Sequence, residues 1–283
     1  MTNRKKTSRH IRPRKQFGQH WLRDETVLEQ IIVAAKLKQS DRILEIGPGT
    51  GILTAKLLSK VAALVSVEID RDLCQKLVQK YGDRDNFLLV QDDFLKLDLN
   101  ALLTDFPKFQ NPNKVVANIP YNITGPILTK LLGKIATPST QKYESIVLLV
   151  QKEVGERLVA TPGTKAFSAL SIRVQYLANC ELICLVPAKA FYPSPKVDSV
   201  VIELRPRQVS HPADNPRQLE TLVKLGFANR RKMLRNNLKS IINTQDCDRL
   251  LEKLNFNPQC RAEDLDLESW ILLSNSFHIS TNN

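Results

Sequence analysis

"RILEIGPGTGILT", Arg42 to Thr54, carries an apolar run, a glycine-rich turn and the start of an amphipathic segment in direct succession. The run RILEIG (42–47) reads as a buried strand, and Thr50 to Ser59 as a helix turning Leu53, Leu57 and Leu58 inward. Gly47, Gly49 and Gly51 fill the turn between them. Without Cβ atoms, and with positive φ open to them, they let a ligand approach the backbone closely. Strand, glycine turn and helix make the first unit of an alternating α/β fold.

The alternation continues outward. Upstream, Asp24 is placed to cap a helix whose apolar positions are Val27, Leu28, Ile31, Ile32 and Ala35. Downstream, LVSVEID (64–70) reads as a strand followed by a helix to about Tyr81. NFLLV (86–90), KVVAN (114–118) and SIVLLVQ (145–151) are further strands, with helices from about Gly125 and onward to about Leu177. ELICLVP (181–187) and DSVVIEL (198–204) flank the short proline turn YPSPK, which makes them antiparallel neighbours. The expectation is a seven-stranded, mostly parallel sheet covered by helices on both faces, with ligands at the carboxyl ends of the strands where their order reverses. PRQVSHPADNP (206–216) reads as a linker. Beyond it LETLVKLGFANRRKMLRNNLKSII, 246–254 and 263–277 read as helices, a small second domain. The expected organisation is a basic tail (1–16), a catalytic domain (17–205) and a helical domain (206–283).

Of 283 residues, 42% are hydrophobic, ample for one sizeable core. No stretch reaches the roughly 18 apolar residues of a membrane span, and no apolar core follows the basic start as in a signal peptide. A soluble, cytoplasmic, monomeric protein is expected. The five cysteines (Cys74, Cys180, Cys184, Cys247, Cys260) are scattered and the four histidines do not cluster with them, so neither a zinc site nor a disulfide scaffold is expected. Cys180 and Cys184 read as buried free thiols.

Lys and Arg number 41 against 29 Asp and Glu, a formal charge of +12. The excess is clustered. Arg4, Lys5, Lys6, Arg9, Arg12, Arg14 and Lys15 crowd the first sixteen residues, and Lys224, Arg230, Arg231, Lys232, Arg235 and Lys239 crowd 223–239, with no acid in either stretch. Two clusters of one sign suit a polyphosphate partner such as nucleic acid; the bland alternative is a solvated basic face.

The glycine turn alone fits a dinucleotide site or a mere tight turn. Its spacing is Gly-x-Gly-x-Gly, and Ile52 stands where the dinucleotide fingerprint wants Gly or Ala. Glu68, at the end of the second strand, can accept from both hydroxyls of a ribose. Asp92 and Asp93, after the third strand, can take an adenine amino group, whereas Asp70 reads as a helix cap. Ribose and adenine contacts without the dinucleotide pattern favour S-adenosylmethionine over a nicotinamide cofactor.

The fourth strand ends in Asn118-Ile119-Pro120-Tyr121. Such residues are common in turns, but here they close a strand beside the glycine turn. This motif resembles the Asn/Asp-x-Pro-Tyr/Phe motif of enzymes that methylate exocyclic amines of nucleobases. An adenine N6 lone pair is delocalised into the ring. Two acceptors aimed at its N–H groups, the Asn118 side-chain oxygen and the Ile119 carbonyl, can draw the nitrogen toward tetrahedral geometry. Pro120 stiffens the loop. Tyr121 can stack on a base that has left its own stack. No general base is needed, because the alkylated amine loses its proton to water.

Further segments match in order. RKQFGQHWLRD (14–24), EIGPGTGILT, VEIDRDL, QDDFL, NIPYNITGPIL, AFYPSPKVDSVVIEL and FANRRKMLRNNL together resemble the KsgA-type family of small-subunit ribosomal RNA adenine N6,N6-dimethyltransferases over nearly the whole chain. The resemblance implies a Rossmann-like class I methyltransferase fold with a helical C-terminal RNA-binding domain. It implies Gly47 against the methionine part of S-adenosylmethionine, Glu68 on its ribose and Asp93 on its adenine amine, with Gly49 also binding the cofactor. His20 and Leu22 would close over the cofactor, Asn118 would stand between cofactor and target, and Phe191 would be a second aromatic against the target base. Core packing is the alternative for Phe191. Arg230, Arg231, Lys232 and Arg235 would grip RNA. The implied substrate is two adjacent adenosines in a hairpin loop near the 3′ end of small-subunit rRNA, within a pre-30S particle. The family usually has Asn and Phe where this chain has His20 and Trp21. A large-subunit rRNA methyltransferase of the resistance type, a non-catalytic assembly factor and a nicotinamide oxidoreductase remain as rivals.

Overall fold

The computed structural model describes residues 12–277. The tail residues Arg4, Lys5, Lys6 and Arg9 lie outside the described residues. Seven strands form one sheet: β1 (Arg42–Ile46), β2 (Ala63–Glu68), β3 (Phe87–Gln91), β4 (Lys114–Asn118), β5 (Ser145–Gln151), β6 (Ala178–Val186) and β7 (Ser199–Pro206). Their spatial order is 3-2-1-4-5-7-6. The first five run parallel, and β7 inserts antiparallel between β5 and β6. The last two strands are antiparallel neighbours as expected, although β6 begins at Ala178, directly after a helix, rather than at 181. The strand order reverses between β1 and β4, so their carboxyl ends open a crevice side by side.

β2 is buried at every position and β5 at all but its last, as a strand covered on both faces must be. Successive side chains divide between two layers. Ile43, Leu64, Val116 and Val147 face helices α1 (Glu25–Ala35) and α2 (Ile52–Leu58). Leu44, Val65, Val115 and Ile146 face the other side. There lie α4 (Leu99–Leu103), α5 (Thr124–Leu132), α6 (Lys152–Val159) and α7 (Ala169–Leu177). Helix α3 (Arg71–Tyr81) links β2 to β3.

Caps explain the helix starts. Asp24 accepts from the amides of Thr26 and Val27, and Asp70 from Asp72. Helix α2 opens at Ile52, two residues later than its pattern suggests, because Gly51 sits at φ +77° and turns the chain first. A Cβ there would meet Leu77 at 2.7 Å and Tyr81 at 2.9 Å, so only glycine fits. The C-terminal end of α1 is tied to the sheet by a buried ion pair. Lys114 Nζ donates to Asp41 Oδ2 at 2.8 Å and to the carbonyls of Ala35 and Lys36.

The C-terminal helices are α8 (Pro216–Gly226), α9 (Leu234–Asn237), α10 (Thr244–Lys253) and α11 (Leu267–Ser276). The continuous helix expected over 219–242 is broken at 227–233. Gly226 packs where any Cβ would lie 2.4 Å from the Trp270 ring, and Phe227 stacks on that ring. The Asn237 amide donates to the carbonyls of Gly226 and Asn229, holding the turn that carries Arg230–Lys232. Trp270, Leu219 and Leu222 belong to the same apolar cluster as Phe167 and Ile172, so the core runs on across the 206–216 segment. Cys180 and Cys184 are half-buried rather than buried, since β6 is an edge strand, and all five thiols are free. Among the described residues, no helix is long and apolar enough to cross a membrane, and no cluster of His, Cys, Asp or Glu is placed to hold a metal.

Candidate active site

One cavity of about 230 Å³ opens at the crevice between β1 and β4. Every candidate cofactor residue lines it: His20, Leu22, Gly47, Gly49, Glu68, Asp93 and Asn118. So do Ile119, Pro120 and Tyr121. Phe191 does not. It is 4% exposed and packs in the apolar layer with Leu22, to which it is paired in a two-residue antiparallel ladder. That pairing turns its side chain into the core, so its core-packing alternative describes this structure.

The glycine turn forms one wall. Gly47 (φ +68°) and Gly49 (φ +60°) both require left-handed backbone. A Cβ on Gly47 would approach only Pro120 and the Asn118 carbonyl, at 3.8 and 3.9 Å, so the turn faces the strand-four motif across the crevice. Glu68 is 5% exposed. One carboxylate oxygen accepts from the Gly49 amide (3.1 Å) and the other from Asp70 (2.9 Å), which locks the turn to the end of β2. Burial pushes its pKa up, against those two amide bonds. Asp93 accepts from the Leu95 amide and keeps its side chain about a third exposed to the cavity rim.

The strand-four motif forms the opposite wall. Asn118 Nδ2 donates to the His20 carbonyl at 3.3 Å. A carbonyl can only accept, so this contact fixes which way the amide faces and leaves Oδ1 as a free acceptor. Ile119 buries its side chain, 1% exposed, which anchors the loop. Tyr121 bonds Ser199 Oγ through its hydroxyl (2.5 Å) and packs against the α1 side of the core. Burial raises its pKa, so it stays a neutral phenol. Its ring stacks on His20 with centroids 5.6 Å apart and planes 17° from parallel.

The segment 14–22 closes the cavity. The Gln19 amide donates to the fully buried Asp70 at 3.0 Å, and Arg14 reaches Asp70 and Asp72. Asp70 is therefore both a helix cap and the anchor of this segment, a second role that its cap position concealed. His20 Nδ1 meets the Pro193 carbonyl at 2.7 Å. Trp21 lays its pyrrole edge on the glycine turn, 3.4 Å from where a Gly49 Cβ would be. Sequence reasoning also missed Glu45. It lines the cavity at 1% exposure, with one oxygen held by Thr54 and Ser66 and the other without a partner. An acid inside an apolar strand run was the available signal.

The four candidate RNA-contact residues separate into two kinds. Arg231 and Lys232 are exposed on the turn after α8. Arg230, also exposed, bonds the Lys165 and Phe167 carbonyls and pairs with Glu263, and the half-buried Arg235 pairs with Asp248.

A sheet in the order 3-2-1-4-5-7-6, with a glycine turn, an acid ending β2 and Asn-Ile-Pro-Tyr ending β4, defines a Rossmann-like class I methyltransferase. A family model described as ribosomal RNA adenine dimethylase matches residues 11–278, and the chain belongs to that family. It is 62% identical over 264 residues to the ribosomal RNA small subunit methyltransferase A of Picosynechococcus sp., covering 93% of this chain and 97% of that one. The protein of the same description from Nostoc punctiforme is 61% identical over 277 residues, covering 96% and 97%. Among solved structures, a dimethyladenosine transferase from Plasmodium falciparum superposes with a TM-score of 0.75 at 28% identity, over 90% of this chain and 96% of that one. The 23S rRNA methyltransferase ErmE shares the fold, with a TM-score of 0.69 at 24% identity over 90% and 98%.

Proposed function

We propose that the protein transfers methyl groups from S-adenosylmethionine to N6 of adenosines in small-subunit rRNA, giving N6,N6-dimethyladenosine. The single observation that carries the chemistry is Asn118. Its amide nitrogen is held by the His20 carbonyl, so its side-chain oxygen is the free acceptor, on a residue whose main chain lies across from Gly47.

The residues present fit the donor. Two left-handed glycines bare the backbone for the methionine portion, Glu68 offers buried carboxylate oxygens to the ribose, and Asp93 an acceptor to the adenine amine. When bound, S-adenosylmethionine supplies an electrophilic methyl group on a sulfonium. Asn118 Oδ1 and the Ile119 carbonyl accept from the N6 hydrogens and localise the nitrogen lone pair. After the first methylation one N–H remains, and either acceptor can hold it for the second. Tyr121, locked by Ser199, offers a rigid ring to the flipped base once the imidazole of His20 moves off its face. The proton leaves to water, and positioning supplies most of the acceleration. Arg231 and Lys232, with Lys224 and Lys239 nearby on the surface, contact phosphates, while Arg230 and Arg235 hold the turn in shape. We assign the target as two adjacent adenosines of the 3′-terminal hairpin loop in a pre-30S particle, methylated by a monomer in the cytoplasm.

The test is methyl transfer to immature small and large ribosomal subunits, with wild type and Asn118→Ala. Label is expected in the small particle only, and Asn118→Ala abolishes transfer while RNA affinity stays within about twofold, because the amide acts on the reacting nitrogen rather than on the phosphates that dominate affinity. Label confined to the large particle rejects the assigned substrate. Full activity of Asn118→Ala rejects the amine-positioning role.

A further inference from the structure

A second groove adjoins the cavity. It is lined by Leu95, which also lines the cavity, by Gly125, Pro126, Thr129 and Lys130 of α5, and by Arg173 of α7. Helix α5 follows directly from the Asn118–Tyr121 loop, so the groove begins where the target motif ends. Its far side is the helical segment: Glu220 of α8 accepts from the Ala136 amide just beyond α5.

The two cations in the groove are differently held. Lys130 Nζ donates to the Leu97 carbonyl and lies 5.0 Å from the centre of the Phe94 ring. Arg173 is only partly exposed, and among the described residues its guanidinium makes neither a hydrogen bond nor an ion pair. Burial depresses the pKa of Arg173, and Glu220, acting through space, opposes the drop. Partial burial of an unpaired guanidinium costs stability unless something completes its five donors. No group among the described residues does, and its exposed part meets solvent. Gly125 leaves the mouth open, since a Cβ there would meet nothing within 4 Å. Helix α5 also begins without a side-chain cap, which adds the positive end of its dipole to the same place.

We propose that Arg173, with Lys130 beside it, is a phosphate-binding subsite that holds the RNA backbone next to the flipped adenosine. It rests on the proposed function, because the groove begins at the helix that follows directly from the target loop. A planar guanidinium matches two phosphate oxygens at once. A base turned out of its stack needs its flanking phosphates fixed, and a cation this near the target motif fixes them where the exposed Arg231 and Lys232 do not.

The test compares wild type, Arg173→Gln and Arg173→Lys. The probe is a labelled RNA hairpin of the small-subunit 3′ end, titrated across a KCl series, with thermal unfolding and S-adenosylmethionine titration measured alongside. Arg173→Gln is expected to bind the hairpin about tenfold more weakly at low salt, with the log–log salt slope reduced by about 0.7 to 0.9. Arg173→Lys recovers the slope. S-adenosylmethionine affinity is unchanged. The melting temperature does not fall, because among the described residues the guanidinium has no hydrogen-bond or ion-pair partner to lose. Unchanged RNA affinity and slope in Arg173→Gln overturn the subsite. A lowered melting temperature with an unchanged slope also overturns it and assigns Arg173 to packing. Wild type that binds the hairpin with this Arg173 dependence, yet transfers no methyl to any particle, sinks the enzymatic reading and leaves the subsite standing.

Discussion

Replacing Glu45 by Gln should make the protein more stable at pH 8 and no different at pH 4.5. Glu45 is buried in β1, and burial pushes its pKa up to about 7 from 4.5; the hydroxyls of Ser66 and Thr54 oppose the rise, and Glu68 adds repulsion. For an acid, a folded value above the unfolded one means that the native state holds the proton longer. Stability contributed by the protonated side chain is present below pH 4.5 and is lost as pH rises toward 7. A folded value near 7 against 4.5 corresponds to about 3 kcal/mol.

Gln is the neutral isostere of the protonated acid. Thr54 and Ser66 both donate to the same Glu45 oxygen, at 2.8 and 2.7 Å, and the Gln carbonyl can take its place. The other oxygen has no partner, so the Gln amide nitrogen loses nothing that the protonated acid had. Urea unfolding of both proteins from pH 4.5 to 8 reads the difference directly, and other titrating groups cancel. The stability of Glu45→Gln minus that of wild type should rise from near zero to about 3 kcal/mol. Parallel pH profiles would refute a buried, protonated Glu45. A variant whose stability falls further below wild type as pH rises would show that the carboxylate is used in its charged form.

Two further outcomes follow from other parts of the structure. Lys114→Met leaves Asp41 at 2% exposure without its cation, and chemical denaturation should register a loss of about 3–5 kcal/mol, most of it restored in the Asp41→Asn, Lys114→Met double variant. Arg231→Ala with Lys232→Ala should lower the salt slope of RNA binding by about 1.5 and leave S-adenosylmethionine affinity intact, as titrations of each ligand across KCl concentrations would report.

The sheet was legible because buried parallel strands need continuous apolar runs, and Ala63–Glu68 and Ser145–Gln151 have them. The crevice was legible for the same reason: Gly47 and Asn118 each follow such a run, and adjacent parallel strands bring their ends together. What pattern could not show was decided at long range. Apolar spacing persists through LVKLGFANRRKML, yet the helix stops at Gly226 because Trp270, forty-four positions on, occupies the space beside it and Asn237 captures its carbonyl. Phe191 reads equally well as a base stacker or a core residue, and its pairing with Leu22, from the far end of the domain, turns it inward.

The same long-range logic resolves the two departures from the family's opening motif. His20 and Trp21 replace the usual Asn and Phe two and one residues before the closing wall's buried anchor, Leu22. Were Asn118 oriented by the side chain at position 20, His in place of Asn would disturb it. The contact comes instead from the His20 main-chain carbonyl, which any residue supplies. What holds that carbonyl in place is the backbone path. Gln19 on the buried Asp70 fixes it from one side, and the Leu22–Phe191 ladder from the other. Substitution at position 20 is therefore free to alter what lies over Tyr121, where the imidazole now stacks, while the Asn118 amide keeps its orientation. The wall can diverge in sequence because its hold on Asn118 is made by backbone.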